Sequence, residues 1–330
     1  MDGIFSSFQD IVNGVPQGSI LGPLLFNVYI NDFLFEQEDR FLSSNVGLCN
    51  YADDNTFLAS GKSIENVILN LETAFSWAAS WFSNNGLQLN AGKCKFIVFR
   101  KSESPKRRIC LGGKFLDEID SVKLLGVHID NRLTFAEHID KLCKKANAKI
   151  CALNRLSHIL NETQRRLLIC SFITSEFGYC PLVWGFTDRS SITKVNRVVD
   201  RSGFSSRQQS HQVSAPYDIH RQHCNSLLTE IYKTKMGLNP LYMREVFPFR
   251  EGIGHYLRSG DTLKRSRIHT TRYGLQSVSY IGAQLWDNLR ADIKSSPSLS
   301  VFNELLLGVS DLKCQCRICA CYVKSVGFIA

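Results

Sequence analysis

Residues 14–54 read GVPQGSILGPLLFNVYINDFLFEQEDRFLSSNVGLCNYADD, and the two ends of this stretch decide the fold. At one end, Gly14-Val15-Pro16-Gln17-Gly18-Ser19 sets two glycines and a proline in a shaped loop whose backbone can come close to a ligand. Gln17 offers donors and an acceptor to a base or sugar edge. Ser19 is placed to cap a helix that tolerates Pro23 near its first turn and carries Leu24, Leu25 and Val28, with Phe33 a further candidate. A helix N-terminus just after such a loop also suits phosphate. At the other end, Val46–Leu58 reads as two short strands around a turn at Asp53-Asp54. Two adjacent carboxylates repel each other unless a cation offsets them, and hard Mg²⁺ prefers such oxygens. Read alone, the pair also suits a solvated turn, and the glycine-rich loop an ordinary loop–helix junction.

Outward from this stretch, apolar residues at Ile64, Val67, Ile68, Leu71, Ala74, Phe75, Ala78, Trp81 and Phe82 predict a helix over 63–85, stopped by Gly86. Strands are predicted at Leu87–Leu89 and Phe96–Phe99. Ile109–Leu111 and Phe115–Leu116 are joined by a turn at Gly112-Gly113, and Val122–Ile129 is a further strand. Ile139, Leu142, Ala146, Ile150 and Leu153 line one face of a helix over 135–157, and another helix covers 162–175. Residues 201–215, RSGFSSRQQSHQVSA, are polar and without periodicity, which marks a linker. Helix resumes over 218–247, and 252–300 shows no clear pattern.

Charge is divided along the chain. Residues 1–61 carry eight acids and one base, Arg40, a formal −7, while the other 38 bases and 22 acids give +16, for +9 in all. An acidic segment beside a basic remainder suits a protein that holds cations in one place and a polyanion in another. Met1–Gly14 shows no basic-then-apolar leader, and the apolar stretch around Ile20–Ile30 falls short of the roughly 20 residues of a spanning helix. The expectation is an intracellular protein, nuclear or cytoplasmic, without a membrane partner. Of 12 cysteines, eight are scattered, which favours reduced thiols. The other four form Cys314-x-Cys316-x-x-Cys319-x-Cys321, with the ligand count of a structural Zn²⁺ site. A tail of reduced cysteines is the other reading.

GVPQGSILGPLLFNVYINDF followed after a spacer by YADD has the order and spacing of reverse transcriptase motifs B and C, and the chain resembles the non-LTR, LINE-type retrotransposon family, in particular its jockey-like group. Trp81-Phe82, Asn85-Gly86-Leu87 and Leu89-Asn90-Ala91-Gly92-Lys93 look like motif D, and Val122–Asp130 (VKLLGVHID) looks like motif E. The likeness runs from about Phe8 to Val199 and resumes from about Ile219.

The resemblance implies an α+β fold: a partial palm with motifs B to E over 1–130, a helical thumb over 131–199, a linker over 200–217, and an irregular region with a Cys-rich tail over 218–330. It implies that Asp53 and Asp54 bind catalytic Mg²⁺ or Mn²⁺. Pro16, Gln17, Gly18 and Tyr51 would seat nucleotide and template, and Lys93 would protonate the departing pyrophosphate. Leu125-Gly126-Val127 would be the hairpin that grips the primer end, and Lys141, Lys144, Lys145 and Lys149 would follow the duplex backbone, although read alone the lysine stripe also suits a solvated face. The partners would be an RNA template, a DNA primer and deoxynucleoside triphosphates. The family places a third Asp on a motif A strand upstream of motif B; here motif B starts at Gly14, and neither Asp2 nor Asp10 lies in such a strand. The expectation is an N-terminally truncated polymerase, inactive by itself. Two other readings stand beside it: a non-catalytic nucleic-acid-binding protein, and a non-functional element remnant.

Overall fold

The computed structural model describes residues 14–16, 18–41, 45–100, 104–202, 219–250, 261–265, 267–268, 270–309, 312, 314 and 316. They fall in two compact units, 1–120 and 121–330. No described helix is long and apolar enough to cross a membrane.

In the first unit, the Gly22 N–H donates to Ser19 Oγ at 3.0 Å, and helix α1 (Gly22–Phe41) begins there as the cap requires. Helix α2 (Ile64–Asn84) buries Ala74, Ala78, Trp81 and Phe82, the face that its 3.6-residue period marks. Phe33 of α1 is fully buried against it, stacked on Trp77 at 5.1 Å and tilted onto Trp81 and Phe82 at 5.0 and 4.6 Å. Strands β1 (Val46–Tyr51) and β2 (Asp54–Ala59) pair antiparallel and lay Val46, Phe57 and Ala59 on Ala74 and Trp77. Strands β3 (Arg108–Leu111) and β4 (Lys114–Asp117) form a second hairpin, and both residues of its turn, Gly112 and Gly113, have the positive φ that suits glycine. The Cys110 N–H donates to Glu72 Oε1 at 2.7 Å and ties this hairpin to α2.

The strand readings at Leu87–Leu89 and Phe96–Phe99 do not hold. Only Phe96 makes a bridge, to Glu118. Leu87 packs instead against the Phe33 cluster. Beyond it Asn90 folds the chain into a turn, its side chain accepting from the Gly92 N–H at 3.1 Å and its carbonyl from the Lys93 N–H at 3.0 Å.

The second unit opens with a hairpin where the apolar run predicts one strand over Val122–Ile129 and the motif resemblance implies a hairpin at Leu125-Gly126-Val127. Strands β5 (Ser121–Leu124) and β6 (Val127–Asp130) are joined by Leu125-Gly126, with φ of 43° and 90°. A two-residue turn with both residues at positive φ matches the twist of its strands, so it reverses the chain within one apolar run. Helix α3 (Ala136–Arg155) follows without a capping side chain at Phe135. Asp130 supplies the acceptor instead. Its carboxylate takes the Phe135 N–H at 2.6 Å, the Thr134 N–H at 2.9 Å, the Thr134 hydroxyl at 2.9 Å and the Arg132 N–H at 3.1 Å. That cage holds Leu133 and Phe135, both left-handed at φ 53° and 56°.

Helix α4 (Glu162–Ile169) starts with a reciprocal Asn161–Gln164 capping box. It passes through a π turn at Cys170–Thr174 into α5 (Ser175–Phe177), then α6 (Pro181–Trp184) and α7 (Arg189–Arg201). After the undescribed 203–218, α8 (Ile219–Lys235) runs through the centre of the unit. After α8 come α9 (Met243–Val246), α10 (Val278–Asn288), α11 (Ala291–Lys294) and α12 (Leu299–Leu307). On α8, Ile219, Leu227, Leu228, Ile231 and Tyr232 are fully buried, with Trp184, Trp286 and Phe302 around them. The Tyr232 hydroxyl donates to the Ser296 carbonyl at 2.6 Å while its ring stacks on Phe302 at 4.2 Å. One core runs from Val127 to Cys316, so the sequence boundaries at 130, 199 and 217 lie inside this unit.

Past 250, where the sequence shows no clear pattern, the described residues include three α-helices, α10 to α12, while the described residues of 261–268 are non-helical and Leu263 makes a bridge to Phe249. These helices span three turns or fewer, too short for a period to register, and α10 is buried around Gly282 and Ala283 rather than along one stripe. Their starts are marked only by Ser277 and Ser298, whose hydroxyls accept from Tyr280 and Val301 N–H groups.

Two outcomes follow from this packing. Phe33→Ala should cost the first unit about 3–5 kcal/mol, read from urea unfolding by tryptophan fluorescence, because the three rings around it cannot close the void. Asp130→Asn should cost about 1.5–3 kcal/mol, the range for hydrogen bonds to a charged group. Burial pushes the Asp130 carboxyl up, but the N–H and hydroxyl donors outweigh it and hold its pKa below the ordinary value. Its stabilisation is therefore present above the ordinary carboxylate pKa of about 3.9 and lost as pH falls through the lower folded value. The gap in urea midpoint between wild type and Asp130→Asn should narrow on acidification; a constant gap would rule the cage out as the cause.

Candidate functional site

The β1–β2 hairpin turns through two residues, Ala52 and Asp53, with Ala52 left-handed at φ 51°. The Asn55 side-chain amide donates to the Asp53 carbonyl at 3.2 Å and braces the turn. Alternation sends Val46, Leu48 and Asn50 inward, while Cys49 and Tyr51 point out. Tyr51 pairs with Asp54 across the register, so both lie on the outward face. Asp53 and Asp54 are exposed at the tip. No cation pairs with either among the described residues, and no third His, Cys, Asp or Glu ligand atom gathers with them. The inward amides of Asn50 and Asn55 are register partners; both polar atoms of Asn50 and Oδ1 of Asn55 are buried without a hydrogen bond among the described residues.

The loop before α1 keeps Gly14 and Gly18 at φ 108° and 82°, values that favour glycine. The Ser19 N–H donates to the Pro16 carbonyl at 3.2 Å, closing a turn. Pro16 and Gly18 are exposed; Gln17 lies outside the described residues. Lys93 sits exposed on the Asn90–Lys93 turn.

In the second unit, the Leu125-Gly126 turn is fastened by Tyr179, whose hydroxyl donates to the Leu125 carbonyl at 2.7 Å. A Cβ on Gly126 would stand 3.3 Å from the Tyr179 ring, so this turn needs glycine for space as well as for φ. Val127 is buried in the core while Leu125 is exposed.

Three of the four lysines expected to face nucleic acid have carboxylate partners. Lys141 pairs with Glu137 at 2.7 Å and lies 3.3 Å from both ring nitrogens of His128. Lys145 and Lys149 share Glu176, Lys145 at 3.0 Å; Lys149 also donates to the Phe172 carbonyl at 2.9 Å. Lys144 is exposed with no carboxylate partner among the described residues. Hydrogen bonds from Lys141 and Ser121 hold Glu137 down to about 2. Burial pushes Glu176 up, and its two lysines more than reverse this. Burial, then the charges of His128 and Lys141, depress the buried His138 to about 4.

Cys314 and Cys316 do come together, but with partners that the sequence reading missed. His220 Nε2 stands 3.2 Å from Cys316 Sγ, 3.7 Å from Cys314 Sγ and 3.6 Å from Cys224 Sγ. Burial opposes charge on His220, yet its contacts with the Cys314 and Cys316 thiols outweigh this and lift its pKa to about 10. Cys319 and Cys321 lie outside the described residues. The available signal was His220-x₃-Cys224, a pair one helical turn apart, which lies far from the tail in sequence.

Residues 2–129 match the family described as reverse transcriptase (RNA-dependent DNA polymerase). The chain is 28% identical over 202 residues to the RNA-directed DNA polymerase from mobile element jockey of Drosophila melanogaster, covering 59% of this chain and 22% of that protein. It is 30% identical over 203 residues to its counterpart from Drosophila funebris, with the same coverage. It is 24% identical over 180 residues to the Retrovirus-related Pol polyprotein from type-1 retrotransposable element R1 2 of Nasonia vitripennis, covering 52% of this chain and 43% of that protein. The matched region thus spans about a fifth of the length of the jockey proteins. No solved structure matches the chain. The Tyr51–Asp54 hairpin lies within the region that matches the reverse transcriptase family, and these similarities support a LINE-type, non-LTR retrotransposon reverse transcriptase.

Proposed function

We propose that this chain is the part of a retrotransposon RNA-directed DNA polymerase that presents the catalytic metal-binding hairpin and the primer-side helices. The observation that carries the reading is the bare Asp53-Asp54 pair at the tip of a braced two-residue turn, within the family region. The donors fit the ion: adjacent, solvent-facing carboxylate oxygens without a competing cation among the described residues suit a hard divalent metal. Mg²⁺ or Mn²⁺ held by Asp53 and Asp54 would supply positive charge to the attacking hydroxyl and the leaving oxygen of phosphoryl transfer.

The other residues have supporting parts in this reading. Pro16, Gln17 and Gly18, before the N-terminus of α1, seat nucleotide and template, with Tyr51 beside Asp54 on the outward face of the hairpin. Lys93, exposed on its turn, is free to approach the pyrophosphate and give it a proton. The Tyr179-fastened turn at Leu125-Gly126-Val127 presents an exposed Leu125 on a buried Val127, a rigid platform for a primer end. RNA template, DNA primer and deoxynucleoside triphosphates are the partners. The lysine pairing of α3 tells against a protein that works through that basic face alone, because Glu137 and Glu176 already offset three of its four charges.

Mn²⁺ titration followed by water-proton relaxation should detect binding that Asp53→Asn weakens at least about tenfold, the effect of losing one of two carboxylate ligands. Equal binding by the Asp53→Asn/Asp54→Asn double variant would sink the proposal. With only two carboxylates gathered among the described residues, the 330-residue chain alone should not extend a primed RNA template. Lys144→Ala should reduce RNA affinity at low salt and lower the slope of log affinity against log salt by roughly 0.7–0.9. Lys149→Ala should leave that slope unchanged and lower the unfolding midpoint instead, since Lys149 serves Glu176. The reverse ranking would place the nucleic-acid surface elsewhere.

A further inference from the structure

Three nitrogen and sulfur donors from two distant parts of the second unit gather at one point, with a fourth thiol beside two of them. Helical spacing puts His220 and Cys224 of α8 on the same face, one turn apart. Cys314 and Cys316, past the end of α12, approach that face. Cys224 Sγ lies 4.0 Å from Cys314 Sγ, and the donor atoms of His220, Cys314 and Cys316 all lie within 4.8 Å of one another. With Zn–S near 2.3 Å and Zn–N near 2.0–2.1 Å, the donor atoms of a tetrahedral site stand about 3.5–3.8 Å apart. Four of the six separations such a site requires, 3.2, 3.6, 3.7 and 4.0 Å, bracket that range, and Cys224 reaches the three-donor group through His220 and Cys314.

The surroundings suit a structural ion. His220, Cys224 and Cys316 are buried, with relative exposures of 4%, 1% and 5%. Phe186 packs edge-on to the His220 ring at 5.8 Å, which shields the imidazole and limits its swing. Soft thiolates with one imidazole select zinc over the hard cations that the carboxylate hairpin would take.

We propose that His220 Nε2 and the thiolates of Cys224, Cys314 and Cys316 bind a structural Zn²⁺ ion that fastens the segment after α12 to α8. This set replaces half of the Cys314, Cys316, Cys319 and Cys321 set expected from the tail alone. Binding takes an unprotonated imidazole Nε2 and three thiolates, releasing the thiol protons and the imidazolium proton of His220 to solvent, and no electron moves. The ion joins residues 90 and more positions apart, so its binding energy becomes folding energy for the whole unit. The site is independent of the polymerase reading, since none of its ligands lies in the matched family region.

The test uses the full chain purified under reducing conditions. Elemental analysis should find about one zinc per chain. Replacement by Co²⁺ should give a tetrahedral visible spectrum and a thiolate-to-cobalt charge-transfer band. Cys224→Ser should lose about a third of that band, or the metal altogether, because one of three thiolates is gone. A full-strength band in Cys224→Ser would overturn the assignment. Cys319→Ser/Cys321→Ser leaves the packed cluster untouched and should keep both metal and spectrum; its losing the metal would return the site to the tail. That second variant keeps the test decisive even where Cys224→Ser fails to fold. A wild-type chain without stoichiometric metal would reduce the cluster to packed thiols and end the proposal.

Discussion

Helix α8 has to be covered on nearly every side, and the second unit is built to do this. Its buried residues include Ile219, His220, His223, Cys224, Leu227, Leu228, Ile231, Tyr232 and Thr234, far more than one stripe of a helix. Elements before it in the chain, α6 and α7, cover part of it, and elements after it, α10 and α12, cover the rest. Several polar groups in this core end on backbone carbonyls. His223 meets the Phe177 carbonyl at 3.1 Å, Trp184 donates to the Tyr179 carbonyl at 2.9 Å, and Tyr232 donates to Ser296. Each is an amphipathic side chain that fills volume with its ring and ends on a backbone carbonyl, which meets the cost of burying a polar atom. Tyr179 links this core to the exposed Leu125-Gly126 turn, so the rigidity of that turn derives from the covering of α8.

The two candidate sites treat charge in opposite ways. At the β1–β2 tip, two carboxylates stand together with no cation offsetting them among the described residues, an arrangement that costs stability unless a ligand balances it. Along α3, cations are brought to carboxylates one helical turn away or on the following segment, and their field is largely spent within the protein. Net charge read from composition does not separate these cases. A lysine that neutralises Glu176 and one that faces solvent count the same in a total of +9.

What the sequence made legible follows from how local each signal is. The hairpin at Asp53, the Gly112-Gly113 turn, the Ser19 cap and the apolar face of α2 are each written within a few turns or a few residues, and they appear as read. The split of Val122–Ile129 is absent from its apolar pattern because Leu125 is an apolar residue holding a left-handed turn, a role that Gly and Asn usually announce, and only the motif resemblance points to a hairpin there. The stretch 201–215 reads as a boundary, but the core is shared by segments on both sides of it, and only contacts between Phe177 and His223 or between Cys224 and Cys314 reveal this. The Cys-rich tail was legible as donors and illegible as a site, because half of the assembled donors sit on a helix some ninety residues earlier.

The burial of α8 also bears on how the chain is made. A ribosome delivers α3 to α7 before α8, and α8 before α10 and α12. Until about Leu307 has emerged, α8 lacks the partners that cover its far side, including Trp286 and Phe302, so the nascent unit displays an apolar seam it cannot close locally. Closing it brings together residues 64 to 96 positions apart, a non-local step of the kind that slows folding. A chain released short of that point would carry its hairpins and α3 intact and still be a substrate for chaperones.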